Sequence, residues 1–133
     1  MAKLYKVFIS HSWDHVDALK RLRNLLNKRN YFKVKFKEAS PDNPIKSEKN
    51  KDIRLKLSNR IKTSDVVLGI AGVYASYSDW MEWELNTAIK YNIPIIGVVP
   101  WGHINTSRIV SNKAIEIVHW NTESIVAAIR RNA

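Results

Sequence analysis

The spacing of apolar residues along the chain predicts four helices. Apolar residues recur at intervals of three or four positions in each of these segments, which is the helical period. In the first segment the inward positions are Val16, Leu19, Leu22 and Leu26. The predicted helices cover residues 14–29, the stretch around Ile53, Leu57 and Ile61, residues 78–91 and residues 122–131.

Five shorter segments predict strands. They cover residues 6–10, 32–36, 65–71, 94–99 and 115–118. The third and fourth are continuous apolar runs, as expected for central strands that are covered on both faces. The second alternates apolar and basic residues, which is typical of an edge strand. Residues 38–50 include Pro41 and Pro44 and are interpreted as an exposed loop.

The order of these elements predicts an α/β fold. Strands and helices alternate through the fourth strand, which is followed directly by the fifth strand and a last helix. Such alternation builds a parallel sheet with helices on both faces. We therefore expect a flavodoxin-like three-layer sandwich with a five-stranded parallel sheet in the order 2-1-3-4-5. The chain has no internal repeat or linker, so residues 1–133 are expected to form a single domain.

This topology predicts where a ligand would bind. In open parallel sheets, ligands bind beyond the carboxyl ends of the strands, where the strand order reverses. Here that point lies between the first and third strands. The rule brings residues 10–13, with the sequence Ser-His-Ser-Trp, close to residues 72–80. We expect the two segments to form one cleft, with Glu84 behind them.

Glu84 is the most unusual residue of the predicted cleft. Ser78 is a good helix N-cap, and Asp79 and Glu82 follow in the first turn, where the helix dipole favours acids. Glu84 lies a turn deeper, four residues after Trp80 and on the same face. A carboxylate on the inward side of a helix is costly unless it has a partner or a function. Glu84 is therefore the candidate catalytic residue.

Charge is distributed unevenly along the chain. Residues 1–65 contain 17 Lys and Arg against 7 Asp and Glu, which accounts for the whole net charge of +10. A basic half attracts nucleic acids, acidic partners or small anions, although a solvated, solubilising surface is the preferred interpretation. The basic residues form no known nucleic-acid-reading motif, so nucleic acid is not the expected partner.

Several classes of protein are not expected from the composition. The chain has no cysteine, no apolar run of about 18 residues and no GxGxxG or Walker A motif. His11 and His15 are four residues apart, but no third ligand is evident, so no metal site is expected. The first residues lead directly into a strand rather than a signal peptide, which predicts a cytoplasmic location without membrane attachment.

Four segments together resemble a known family. They are residues 6–12 (KVFISHS), 65–70 (DVVLGI), 77–85 (YSDWMEWEL) and 94–102 (PIIGVVPWG). In this order they are similar to the TIR-like family, most nearly to its bacterial and archaeal branch, which includes the TIR proteins of Thoeris antiphage defence. The resemblance covers nearly the whole chain and implies the same TIR-like, flavodoxin-like fold.

The resemblance also implies an activity. In this family the loops after the first two strands and the third helix bind NAD as a substrate, not as a bound cofactor. A glutamate four residues after a tryptophan is the catalytic carboxylate, which corresponds to Glu84 after Trp80. The implied reaction cleaves the nicotinamide–ribose bond and yields ADP-ribose or a cyclic isomer. In the Thoeris branch the cyclic product signals to a separate effector, and TIR domains of this family also self-associate.

The expected substrate-binding residues supply rings and hydrogen-bonding groups around this glutamate. They are Phe8, Ser10, His11, Ser12, Trp13, Ser40, Tyr74 and Trp80. Six of them also have a simpler interpretation. Phe8 and Trp80 suit core packing, Ser12 suits an N-cap, and His11 suits a loop hydrogen bond. Ser40 suits a turn, and Tyr74 suits the rim of the cleft.

Two other functions stay open at this point. The chain is also consistent with a TIR-like interaction module that has lost turnover and docks through residues 38–51. A basic nucleic-acid-binding domain is the third possibility, and it predicts binding that weakens steeply with salt.

Overall fold

The computed structural model describes residues 3–10, 16–36, 50–71, 79–99 and 108–133. Within these ranges, side chains are not described at residues 16–18, 50–53, 79–80 and 108–109. The elements in chain order are β1 (Leu4–Ser10), α1 (Val16–Asn27), β2 (Lys33–Phe36), α2 (Asn50–Lys62), β3 (Val66–Ile70), α3 (Asp79–Lys90), β4 (Ile95–Val99), α4 (Arg108–Lys113), β5 (Glu116–His119) and α5 (Thr122–Asn132).

The sheet has the predicted topology. Its five strands are ordered β2-β1-β3-β4-β5, and every pairing is parallel. The strand order reverses between β1 and β3, where Ser10 lies opposite Gly69. β2 is an edge strand, with Lys33 and Lys35 exposed and the intervening side chains half-buried. The flavodoxin-like prediction is confirmed.

Helix α4 was not predicted from the sequence. It has only six residues, which is too short for a helical apolar period to be recognised. Its Val110 is fully buried against the sheet. The helix can pack this closely because Gly97 in β4 has no side chain. A Cβ at this position would lie 2.9 Å from Cγ1 of Val110. The fourth and fifth strands are therefore joined through a helix, as the earlier strands are.

Two hydrophobic clusters cover the two faces of the sheet. The first cluster joins one face to α1 and α5, whose inward side chains include Leu19, Leu22, Leu26, Ile125 and Ile129. The second joins the other face to α2, α3 and α4 through Leu57, Ile61, Met81, Leu85 and Val110. Side chains alternate across β1, so Val7 and Ile9 belong to the first cluster and Phe8 belongs to the second.

Other element boundaries differ from the predictions by a few residues. Asn50, assigned to a loop, is the first residue of α2, and β5 begins one residue later than predicted. The rest of the predicted loop 38–50 and the proposed N-caps Ser12 and Ser78 lie outside the described residues. Helix α5 has a clear N-cap, because the side chain of Asn121 accepts a hydrogen bond from the backbone N–H of Ser124.

Candidate functional site

The candidate site begins at the carboxyl end of β1. Ser10 is the last residue of this strand, and its side chain is fully buried. It lies two residues after Phe8 and therefore leaves the strand on the same face, which is the face covered by α3. A hydroxyl at this position needs a hydrogen-bond partner, because burial removes it from water.

Helix α3 supplies that partner. Met81, Glu84, Leu85 and Ala88 recur at i, i+3, i+4 and i+7, so they share the face that packs on the sheet. The three apolar members of this stripe are fully buried in the second cluster. Glu84 is 8% exposed, so the packing of its neighbours places a carboxyl group among apolar side chains.

A hydrogen bond joins the strand to the helix. The hydroxyl of Ser10 donates to Oε1 of Glu84 over 3.0 Å. Among the described residues, Glu84 makes no ion pair with a basic side chain. The two partners are 74 positions apart in the sequence, and only the packing of β1 against α3 brings them together.

Burial strongly changes the acidity of this glutamate. Removal from water raises the pKa of Glu84 to about 8, and the hydrogen bond from Ser10 lowers it by less. The group is therefore largely protonated at neutral pH in the free protein. A cationic ligand group placed beside it would favour the ionised form and lower the pKa. The site is thus suited to hold or stabilise positive charge.

The structure brings together two of the predicted site residues, Ser10 and Glu84. Phe8 lies in the second cluster and is fully buried, which agrees with its core interpretation. Trp80 lies in the first turn of α3, and its side chain is outside the described residues. The remaining predicted residues, His11, Ser12, Trp13, Ser40 and Tyr74, also lie outside the described residues. Their roles stay predictions.

One relationship in the site was missed by sequence reasoning. The structure gives Ser10 a hydrogen bond to Glu84 that was not predicted, and its expected contact with substrate stays a prediction. The signal was present in two separate patterns: strand alternation placed Ser10 on the side of Phe8, and helical spacing placed Glu84 on the inward face. Only the packing of these two faces makes them one pair.

Within the described parts of the chain, no group of three or more His, Cys, Asp or Glu residues is arranged to hold a metal ion. In the same parts, no helix is long and apolar enough to cross a membrane.

The fold and the site together define a doubly wound α/β protein with a buried carboxyl group at the strand-order reversal. The family model described as "Thoeris protein ThsB, TIR-like domain" matches residues 8–105. The chain belongs to this family of TIR-like proteins. The match includes β1 from Phe8 onward and the whole of α3, so both partners of the Ser10–Glu84 bond lie inside it.

Solved structures share the fold at low sequence identity. A 2-deoxyribosyltransferase from Bacillus psychrosaccharolyticus has a TM-score of 0.63 at 15% identity, covering 93% of this chain and 95% of its own. The CMP N-glycosidase BcmB from Clostridium botulinum has a TM-score of 0.55 at 14% identity, covering 94% and 98%. A prokaryotic SEFIR domain has a TM-score of 0.54 at 22% identity, covering 96% and 94%. A sequence comparison with curated proteins gives no significant match.

Proposed function

We propose that this TIR-like protein cleaves NAD at the nicotinamide–ribose bond, with Glu84 as the catalytic carboxylate and a cyclic ADP-ribose-type product that signals in antiphage defence. The observation that carries the proposal is the buried carboxyl group of Glu84 at the strand-order reversal, held by Ser10 and without a basic partner among the described residues. Membership of the Thoeris ThsB family supports the biological setting.

The chemistry requires negative charge beside the ribose. When the bond between ribose C1′ and the nicotinamide nitrogen breaks, its electron pair goes to the nitrogen and neutralises the pyridinium ring. The ribose becomes an oxocarbenium ion, which a nearby carboxylate stabilises, as in glycoside hydrolysis. Water at C1′ then gives ADP-ribose and a proton. Attack by another group of the same molecule gives a cyclic product and releases a proton from that group.

Ser10 acts in this proposal as a positioning residue. Its hydroxyl is fully buried and donates to Oε1 of Glu84, which supports a role in fixing the carboxyl group. The bond also partly offsets the cost of an ionised carboxylate in an apolar setting. Loss of Ser10 should therefore reduce kcat more than it changes KM.

The raised pKa of Glu84 sets an expected pH dependence. If the ionised carboxylate is the active form, kcat/KM of the free protein rises with pH until about pH 8 and then levels off. Bound NAD carries a positive charge on its nicotinamide ring, which favours the ionised form. The corresponding rise in kcat should therefore lie at lower pH.

The structural neighbours agree with this class of chemistry at the level of the fold. One is named a 2-deoxyribosyltransferase and another a CMP N-glycosidase, and both names denote reactions at the bond between a sugar and a base. The proposal adds NAD as the substrate and a separate effector protein that binds the product. It also includes self-association through the TIR-like domain and a cytoplasmic location. No bound cofactor or metal is required by the proposed reaction.

The decisive experiment follows NAD consumption by chromatography with product identification by mass spectrometry. It compares the wild type with Glu84→Gln, alone and with lysate from phage-infected cells. Glu82→Gln is the matched control, since Glu82 lies on the same helix and is exposed. We expect Glu84→Gln to lose about 10³-fold or more in turnover and Glu82→Gln to keep it. The product's mass and retention distinguish cyclisation from hydrolysis.

The opposite outcome favours a different function. Folded wild-type protein that leaves NAD intact under both conditions, or a Glu84→Gln variant as active as the wild type, overturns the proposal. The remaining candidate is then a TIR-like interaction module, for which the fold shared with a SEFIR domain is the supporting observation. Deletions in residues 38–51 are the next test of that function.

A further inference from the structure

A polar cleft lies between α2 and α3, on a different face of α3 from Glu84. It is an open groove of about 250 Å³, lined by Ser58, Trp83, Asn86, Thr87, Lys90 and Tyr91. On α3 the lining residues recur at i, i+3, i+4 and i+7 from Trp83, so they form one stripe. On α2, Arg54, Ser58 and Lys62 are spaced by four residues and form the facing stripe.

Basic side chains lie over the aromatic rings at both ends of this cleft. Arg54 lies over the ring of Trp83, with its guanidinium carbon 5.8 Å from the ring centroid. At the other end the ring of Tyr91 has two ammonium groups near it, those of Lys62 and Lys90, each 5.6 Å from the centroid. Such distances are typical of cation–π contacts.

The charged side chains at this cleft are all basic among the described residues. None of the described residues that line the cleft is acidic, and Lys62 and Lys90 are both exposed. Neither lysine forms a described ion pair, so a bound anion would offset the positive charge at this end of the cleft. Ser58 and Asn86 add hydrogen-bonding groups, and Thr87 already donates its hydroxyl to the backbone carbonyl of Trp83 over 2.8 Å.

The geometry points to a mononucleotide as the ligand of this cleft. Its base would take the place of the Arg54 guanidinium over the ring of Trp83, and its phosphate would pair with the ammonium groups of Lys62 and Lys90 through charge-assisted hydrogen bonds. A volume of about 250 Å³ lies just below the usual range for small-molecule pockets. The space therefore suits one nucleotide rather than a dinucleotide such as NAD. This inference does not depend on the proposed NAD cleavage.

The test measures binding of AMP, ribose 5-phosphate and adenosine to the wild-type chain by calorimetry. In parallel, proton–nitrogen NMR follows the indole N–H signal of Trp83, assigned with Trp83→Phe. Lys62→Gln/Lys90→Gln removes the two ammonium groups near Tyr91. Lys33→Gln/Lys35→Gln is the matched control, since it removes the same charge from exposed residues of β2.

We expect AMP to bind more tightly than ribose 5-phosphate or adenosine and to shift the Trp83 signal. The Lys62/Lys90 variant should bind AMP about tenfold or more weakly, and the Lys33/Lys35 variant within about twofold of wild type. Three results overturn the inference: no saturable binding of AMP up to about 10 mM, binding that leaves the Trp83 signal unchanged, or equal weakening in both variants. The last result would indicate general attraction to a basic surface instead of a site.

Discussion

The two faces of the sheet differ in what they bury. The face covered by α1 and α5 contacts a cluster of aliphatic side chains with Phe32. The face covered by α2, α3 and α4 buries Ser10, Glu84 and Thr87 as well. The comparison indicates that the first layer chiefly stabilises the fold, whereas the second also holds a carboxyl group whose burial lowers stability at neutral pH.

The glutamates on the two sides of the sheet differ in the direction of their pKa shifts. Glu123 in α5 receives two hydrogen bonds from the guanidinium of Arg29, at 2.7 and 3.0 Å. The bonds from Arg29 hold the pKa of Glu123 below its usual value, and Arg131 does the same for the pKa of Glu116. The pKa of Glu84 moves in the opposite direction because its burial outweighs its one described hydrogen bond.

The largest expected effect on stability is in the α1/α5 layer. Leu22→Ala removes a fully buried side chain of the first cluster and leaves a cavity. Its free energy of unfolding should fall by about 2–5 kcal/mol in a urea titration. Arg21→Ala, a neighbouring change at an exposed site, is the control and should stay within about 0.5 kcal/mol of wild type. If Leu22→Ala lost as little unfolding free energy as the control, the α1/α5 layer would not be a main source of stability.

Glu84→Gln should raise the free energy of unfolding at neutral pH, whereas Leu22→Ala lowers it. Below about pH 4.5 the glutamate is protonated in the folded and unfolded chains, so its raised pKa costs nothing. Between pH 4.5 and about 8 the unfolded chain ionises first, and stability falls with rising pH by at most about 1.4 kcal/mol per pH unit. Glutamine removes this dependence. The variant should therefore be more stable than wild type by roughly 1–3 kcal/mol at pH 7.

Thermal unfolding from pH 4 to pH 8 checks this prediction. The melting temperatures of the wild type and Glu84→Gln should be similar at pH 4 and should separate as the pH rises. A constant difference across the range would show that Glu84 is not shifted in the folded chain. The two layers would then not differ in their electrostatics as described above.

Gly97→Ala tests how closely α4 packs on the α2/α3/α4 face. The added Cβ would lie 2.9 Å from Val110 and 3.3 Å from Ile117, so the helix or the strand must shift. The variant should lose about 1–3 kcal/mol of unfolding free energy. Gly69→Ala is the matched control, because its Cβ would meet its nearest neighbour at 3.4 Å, an ordinary contact. Equal losses in both variants would contradict the close approach of α4.

The smallest expected effect concerns the ion pair between Arg29 and Glu123. Both groups are at the surface, so Glu123→Gln should lower the melting temperature only slightly. The loss should shrink further in high salt, which screens exposed charges. It should also vanish at low pH, since the stabilisation from a lowered carboxyl pKa is lost as pH falls through that pKa. A loss that is insensitive to salt and pH would point to packing instead.

Most of the fold could be predicted from the spacing of apolar and polar residues along the sequence. The apolar runs at 65–71 and 94–99 predict buried parallel strands, and both occupy the middle of the sheet. The alternation of lysines with apolar residues at 32–36 predicts an edge, which β2 is. Helix α4 was missed because six residues cannot show a period, and its position depends on space left by Gly97.

The candidate site was predictable in part. Glu84 could be singled out because neither capping nor the helix dipole explains an acid at its position. Its partner could not, because a hydrogen bond between residues 74 apart depends on which strand faces α3. The cleft at Trp83 was not predicted either, because neither of its two helical stripes stands out in the sequence and the cleft forms only where α2 lies beside α3.

The sequence by itself determined the order of the five strands and of the helices other than α4, the parallel sheet and the presence of an acid on the inward face of α3. These are local properties, because they depend on spacing and residue type along a few turns or a single strand. Only the tertiary structure decided that Glu84 meets Ser10, that burial raises its pKa to about 8 and that α4 closes on Gly97. The reason is physical: desolvation and contact distance depend on the neighbours that folding brings from elsewhere in the chain.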